Sequence, residues 1–198
     1  MQNLVEFNDT MIERTLILIK PDAVIRNLIG KIISRFEDTG LKIVGMKMLH
    51  ADDEIAKRHY PLEEEWAKNI FDKTKESYEA QGKEFKYQSH IEIGKDIQSW
   101  CCNFLKENPI IAMVLEGPHA IELVRKIVGA TEPRQALPGT IRGDFISVES
   151  YPLANEKKRV VRNLIHASDS KITAEKEISI WFNPEELHNY KKDIEKYF

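Results

Sequence analysis

The chain has 198 residues and a formal net charge of −3, with 29 Lys and Arg set against 32 Asp and Glu. Such a length suits one domain carrying an insertion, and the near-balanced charge gives no support to a strongly basic nucleic-acid binder or an acidic tail protein, so any anion must be held by a local cation cluster. The two cysteines, Cys101 and Cys102, are neighbours and provide no disulfide framework; with no apolar run near the ~18 residues of a membrane span and no signal-like apolar core in Met1 to Thr10, the chain reads as cytoplasmic with reduced thiols.

Thr15 to Ile19 is a short run of branched apolar residues and predicts a buried strand. Ile25, Leu28, Ile29, Ile32, Ile33 and Phe36 then fall at helical spacing, predicting one helix over Ile25 to Asp38, closed by Gly40. Leu41 to Leu49 predicts a second strand. The acidic start Asp52-Asp53-Glu54 opens a helix that ends near Tyr60 and is stopped by Pro61. Residues 61–96 are dense in Glu, Lys and Gln and read as an inserted, mostly exposed helical excursion, after which Ile97 to Leu105 resumes an amphipathic helix.

Pro109 to Leu115 predicts the third strand, broken by Gly117-Pro118, and His119 to Val128 a helix with Ile121, Val124 and Val128 on one face. Gly129 to Gly143 is a long loop, usually a functional element in a compact domain. A short strand is expected over Phe145 to Val148, then a polar linker within an extended loop of about 149–160, a fourth strand over Val160 to His166, and a last helix over Ala174 to Trp181 before a charged tail. Two strand–helix–strand units imply an α+β fold: a ferredoxin-like split βαβ sandwich, with a four-stranded antiparallel sheet and helices on one face, in a single domain over 1–198.

The chemistry centres on Asn163-Leu164-Ile165-His166-Ala167-Ser168-Asp169-Ser170. A histidine at a strand end is followed by a small residue that leaves space beside the ring, and then by N-capping side chains. A lone histidine is more often structural than catalytic, and Ser, His and Asp within four positions do not converge as a hydrolase relay; a Gly-x-Ser-x-Gly elbow is absent. Lys20, Arg125 and Arg142 are individually ordinary surface or strand-end cations, but in a split βαβ fold they could surround one anion. Walker A and protein-kinase signatures are missing, so nucleotide chemistry would need another apparatus, such as a histidine nucleophile backed by cations.

The segment Asn163 to Asp169 resembles the active-site pattern of the nucleoside diphosphate kinase family: Asn-x-x-His, then Gly or Ala, Ser, Asp. Glu13-Arg14-Thr15, Ile19 to Asp22, Arg35-Phe36-Glu37, Pro138 to Phe145, Ala174 to Ile178 and Trp181 to Leu187 extend the likeness. The resemblance implies the ferredoxin-like fold and a ping-pong transfer of the γ-phosphate from ATP or another nucleoside triphosphate to a nucleoside diphosphate, with Mg2+ on the phosphates and broad base tolerance. It implies that His166 is the phosphorylated nucleophile, that Glu177 orients it and Ser168 supports that arrangement, and that Tyr60 lies near the phosphates and the ring. Lys20, Arg125, Thr131 and Arg142 would hold the phosphates, and Asn163 with Lys20 would reach the sugar hydroxyl. Ile97 stands where the family stacks the base on a Phe, with Trp100 close by. A homo-oligomer, tetramer or hexamer, is implied, with contacts from the loop around Pro133 to Gly143; membrane and nucleic-acid partners are not expected. A binding scaffold and a phosphocarrier acting on proteins are the rival readings, and the nucleotide-holding positions favour the kinase.

Overall fold

Strand β1 (Ile12–Ile19) is apolar on both of its faces, which places it inside the sheet rather than at an edge. The computed structural model describes residues 12–80, 82 and 84–193; Met1 to Thr10, read above as carrying no signal, lies outside them. With β2 (Lys42–Leu49), β3 (Ile110–Pro118) and β4 (Ile165–Ala167), β1 forms a four-stranded sheet of order β2-β3-β1-β4 in which every pairing is antiparallel. This is the α+β, ferredoxin-like architecture read from the sequence.

Helices cover both faces of the sheet, where the sequence pattern implied one. Ile17 and Ile19 meet α2 (Ile29–Glu37) through Ile32 and Phe36, and α6 (Ala120–Val128) through Val124 and Val128. Leu16 and Leu18 face the other way, onto Ala56 of α3 (Asp53–His59), Leu105 of α5 (His90–Lys106) and Trp181 of α9 (Lys171–Trp181). All four β1 side chains are fully buried, each contributing on the order of 1.5–3 kcal/mol. A strand apolar on both faces requires two layers of cover.

Several boundaries differ from those expected. The first helix is two: α1 (Pro21–Ile25) and α2 are separated by Asn27, held at φ 56°, and Leu28 still reaches the core, so the apolar spacing survives the break. Helix α5 begins at His90, not Ile97, with Ser89 accepting from the Glu92 N–H. It packs against α4 (Glu64–Ala80) through buried Ala67, Ile93 and Gly94, while the remainder of α4 is mostly exposed. Strand β3 runs through Gly117 to Pro118, at the end of its ladder with β1.

The stretch after α6 also departs from the reading. The long loop contains a helix, α7 (Ile141–Phe145), capped by the Thr140 side chain, and Phe145 to Val148 forms no strand. The presumed linker holds α8 (Tyr151–Glu156), capped by Ser150. Strand β4 shrinks to Ile165–Ala167 because Leu164 takes φ 68° and the Asn163 carbonyl accepts from the Arg142 side chain instead of a strand.

Candidate active site

His166 sits in the middle of β4, paired with Leu18 of the central strand, and its ring is half-exposed. Its Nε2 lies 2.9 Å from Glu177 Oε2, and the same oxygen accepts from Ser168 Oγ at 2.6 Å. Glu177 projects from α9, whose first turn is capped by Ser170, the residue just past the motif. Ser168 is fully buried and accepts from the Leu16 N–H at 3.2 Å, which fixes the hydroxyl to the central strand. A carboxylate accepting from Nε2–H leaves Nδ1 with its lone pair. Burial, reinforced by Lys20, Arg142 and Arg125, holds the His166 pKa near 3, so the imidazole is neutral at ordinary pH. Ser168 and His166 converge on Glu177 rather than on each other, which does not suit serine nucleophilic chemistry.

The cations meet at the same place. Lys20 follows β1 directly and is buried; its ammonium donates to Asn163 Oδ1 at 2.9 Å. Burial and neighbouring Arg142 lower its pKa to about 8. Arg142, on α7, is also buried, and its guanidinium donates to the carbonyls of Gly129 at 2.9 Å, Asn163 at 3.1 Å and Ile165 at 2.6 Å. Burial and Arg125 pull its pKa down to about 10, still fully charged at neutral pH. Arg125, in the last turn of α6, is exposed, with no hydrogen bond among the described residues, and its charge is felt at both Arg142 and His166. Asn163 uses its amide to donate to the Thr131 carbonyl at 2.9 Å, and Thr131 itself is exposed.

Helix α5 forms the opposite wall. Ile97, Cys101 and Phe104 share one face at helical spacing, and Trp100 flanks it. Phe104 lies under both the Lys20 ammonium, at 5.9 Å, and the Arg162 guanidinium, at 4.8 Å. Cys101 is buried and its thiol is pushed up to about 11, which leaves it inert. Ile97 and Trp100 are half-buried, and among the described residues neither is hydrogen-bonded to the His166 ring or to the cations. Tyr60 is half-buried beside the site; its carbonyl accepts from Gln98 at 2.7 Å, and burial with nearby Cys101 and Glu177 raises its hydroxyl pKa well above the usual value.

Three side chains to which the sequence reading gave no role adjoin these residues. His59 lies edge-on to His166, with ring centroids 4.5 Å apart, and its Nδ1 accepts from the Trp181 indole at 3.3 Å. Burial above all, with coupling to His166 and the nearby Lys20 ammonium adding to it, holds the His59 pKa well below the ordinary histidine value. Asp22 accepts from the main-chain N–H groups of Ala23 and Leu164, which holds Leu164 in its left-handed conformation. His59 and Trp181 fall at the ends of expected helices, and only the adjacency of His59 to Tyr60 gave a signal.

A neutral, half-open imidazole with one nitrogen fixed and three cations around it is equipped to accept an anionic phosphoryl group. The nucleoside diphosphate kinase family model matches residues 13–83 and 73–187. The chain belongs to the nucleoside diphosphate kinase family. A nucleoside diphosphate kinase of Pyrobaculum aerophilum is 47% identical over 180 residues, covering 89% of this chain and 98% of the relative. The crystal structure of an NDP kinase from that organism superposes with a TM-score of 0.86 at 44% identity, over 90% of this chain and all of that one. A transition-state mimic of nucleoside-diphosphate kinase from Borrelia burgdorferi with bound vanadate and ADP superposes with a TM-score of 0.77 at 39% identity, over 94% of this chain and 96% of that one. As a nucleoside diphosphate kinase, the chain is a nucleotide-binding phosphotransferase.

Proposed function

We propose that His166 Nδ1 carries the phosphoryl group in a ping-pong exchange between nucleoside tri- and diphosphates, with Glu177, Ser168, Lys20, Arg125, Thr131, Arg142, Asn163 and Tyr60 as the working side chains around it. The observation that carries this reading is the pair of bonds to Glu177 Oε2, from His166 Nε2 and Ser168 Oγ. They fix the tautomer and turn Nδ1 outward among the cations. In the first half-reaction the Nδ1 lone pair attacks the γ-phosphorus, an N–P bond forms, and the bond from phosphorus to the β–γ bridging oxygen breaks with its electrons going to the departing diphosphate. The second half-reaction reverses these steps with a different diphosphate. No proton leaves His166 in the attack, because the attacking nitrogen is already bare; Glu177 stabilises the positive charge that develops on the ring.

Lys20, Arg125 and Arg142 disperse charge on the transferring group, in a site where burial strengthens each interaction. Arg142 is braced by three carbonyls, so it is preorganised rather than recruited. The Lys20–Asn163 pair faces the sugar and the phosphates. Mg2+ would arrive on the nucleotide and neutralise phosphate charge. The donor set fits that arrangement, since the Asp22 and Glu177 carboxylates are committed to protein donors and the His59–His166–Glu177 cluster is richer in nitrogen than a magnesium site requires.

Assembly into a homo-oligomer, tetramer or hexamer, is part of the same proposal. It is supported by exposed Met46 and Met48 on the edge strand β2 and by exposed Leu137 and Val148 in the segment after α6. Among the described residues no helix is long and apolar enough to cross a membrane, and two buried free thiols accord with a reducing, cytoplasmic setting.

Incubation with γ-labelled ATP and Mg2+ tests the assignment. Wild-type protein should retain acid-labile, alkali-stable label and pass it to GDP or dCDP, and His166→Ala should retain none. Label that persists in His166→Ala would refute the nucleophile; label that stays on the protein with every diphosphate tried would point to a phosphocarrier.

A further inference from the structure

Arg142 stands on a helix too short to hold its own shape. Helix α7 has five residues, and a single helical turn is marginal in water, so its place must come from contacts outside it. Two arginines of the α1–α2 segment supply them, one at each end of α7. At the approach, Arg35 of α2 donates one terminal N–H to Asp144 Oδ2 at 2.9 Å and the other to the Gly139 carbonyl. Asp144 Oδ1 accepts from the Gly139 N–H at 2.7 Å. Both polar main-chain groups of Gly139 and both oxygens of Asp144 are therefore engaged in one ring of contacts, with Gly139 at φ 88°, a conformation that glycine adopts without strain. At the other end, the Arg26 guanidinium donates to the Phe145 carbonyl at 2.6 Å. That carbonyl belongs to the last turn, where a helix offers its oxygens no partner of its own and favours a cation.

These contacts give a place to a motif that the site itself leaves unused. Arg35-Phe36-Glu37 and Pro138 to Phe145 both belong to the family likeness, and they meet at α7. Arg26 adds a second link. Lys20 is the N-cap of α1 and Arg26 its C-cap, so one five-residue strut carries Lys20 at one end and holds α7 by the other. The two buried cations of the site are thereby set in register through α1, Arg26 and α7. A pair such as Arg35–Asp144, with side chains 32% and 31% exposed, contributes little to stability. Its geometric effect is larger, since a displacement of about 1 Å at a positioned group costs on the order of a hundredfold in rate.

We propose that Arg35, assisted by Arg26, is a positioning residue for Arg142: the two guanidinium groups hold α7 at both ends and so set the buried Arg142 guanidinium against the nucleotide phosphates. The inference rests on the phosphate-holding role given to Arg142 above. Arg35 and then the Gly139 N–H hold the Asp144 carboxyl below its ordinary pKa, so the grip is charged at neutral pH. A lysine in place of Arg35 cannot reproduce it, because an ammonium lacks the planar fork that spans a carboxylate and a carbonyl.

The test is ADP binding by calorimetry, with steady-state kinetics and thermal melting, on the full chain. Arg35→Met and Asp144→Asn should each weaken ADP about tenfold, equivalent to ~1.4 kcal/mol, and raise the nucleotide KM by a similar factor. The melting temperature should fall by no more than about 4 °C. The double variant should bind no more weakly than Arg35→Met, because the two residues share one contact, and Arg35→Lys should fall between wild type and Arg35→Met. Lys47→Met breaks the Lys47–Glu186 pair on β2, whose side chains are similarly exposed at 29% and 36%, and should keep wild-type affinity. Wild-type affinity in Arg35→Met, losses that multiply in the double variant, or an equal loss in Lys47→Met would each overturn the proposal. Should Arg35→Met not fold, Asp144→Asn carries the comparison, and unchanged affinity there overturns it as well. Binding is read without turnover, so a wild type that binds ADP but transfers no phosphate would count against the phosphohistidine reading and leave the Arg35 result intact.

Discussion

Lys20 carries the sharpest conflict in the molecule between stability and function. Its native pKa is about 8 against the ordinary 10.5, because burial and Arg142 both disfavour the charge. Between those pH values the folded protein binds fewer protons than the unfolded chain, so this group's contribution to stability improves as pH rises through the window and is unfavourable below about pH 8. A bound phosphate reverses the preference and restores the charged lysine. ADP binding at about pH 8.5 should therefore draw in a substantial fraction of a proton, seen by calorimetry in buffers of different ionisation enthalpy. Little of this should remain in Lys20→Arg, whose guanidinium does not titrate; equal uptake in the two proteins would contradict the assignment. His166 behaves in the opposite functional sense: its lowered pKa keeps the proposed nucleophile unprotonated across the same range. These residue types were legible because the motif around His166 and the scattered cations name a phosphate chemistry. His59 and Asp22 were not, since one looks like an ordinary helical position and the other spends its carboxylate on main-chain donors.

At the scale of elements, α7 decides whether Arg142 is in place, and α7 is the element the sequence concealed. Five residues are too few to display helical periodicity, and the preceding Pro138-Gly139 reads as a turn; the Thr140 cap was the available signal. Strand β4 erred in the other direction. The apolar residues of Val160 to His166 suggest a strand, yet Leu164 turns to φ 68° and the Asn163 carbonyl is taken by Arg142, and no local pattern reveals that partner. The long strands β1, β2 and β3 were legible because burial on both faces, or alternation, extends over enough residues to be distinctive. Gly143 tests how tightly α7 is fitted. A Cβ there would collide with the Leu137 carbonyl and press on Thr140 Oγ1 at 3.0 Å, the atom that caps the helix. Gly143→Ala should lose about 1–3 kcal/mol in urea unfolding and raise the nucleotide KM roughly tenfold through displaced Arg142. Gly30→Ala, in α2 with nothing within 4 Å of the new methyl, should instead gain up to about 0.5 kcal/mol with unchanged kinetics. Matching behaviour of the two variants would show that α7 tolerates the shift.

For the whole molecule, the question is what the excursion between Tyr60 and the core part of α5 contributes. Composition led to a solvated decoration, and most of α4 does present charged side chains such as the exposed Glu64–Lys68 pair, worth little by itself. One seam runs deeper. Gly94 lets α5 approach Ala67 and Leu62 closely, and Ile93 is buried in the same seam while Leu105, further along the same helix, is buried in the main core. The excursion thus continues into the element proposed to form the nucleotide wall, but His166, Lys20, Arg125, Arg142, Asn163 and Glu177 all stand on other elements. Deleting residues 64–88, which removes α4 and keeps all of α5, should uncover Ile93 at a cost of about 2 kcal/mol, lowering the melting temperature by roughly 5 °C. The kcat should stay within about threefold, because no group around the transferring phosphate is lost. Subunit mass in solution should scale with the shortened chain alone, since exposed Met46, Met48, Leu137 and Val148 lie on β2 and after α6 rather than on α4. Loss of ADP binding would make α4 part of the nucleotide site, and a changed subunit count would make it an assembly element; either result would overturn its assignment as a brace for α5.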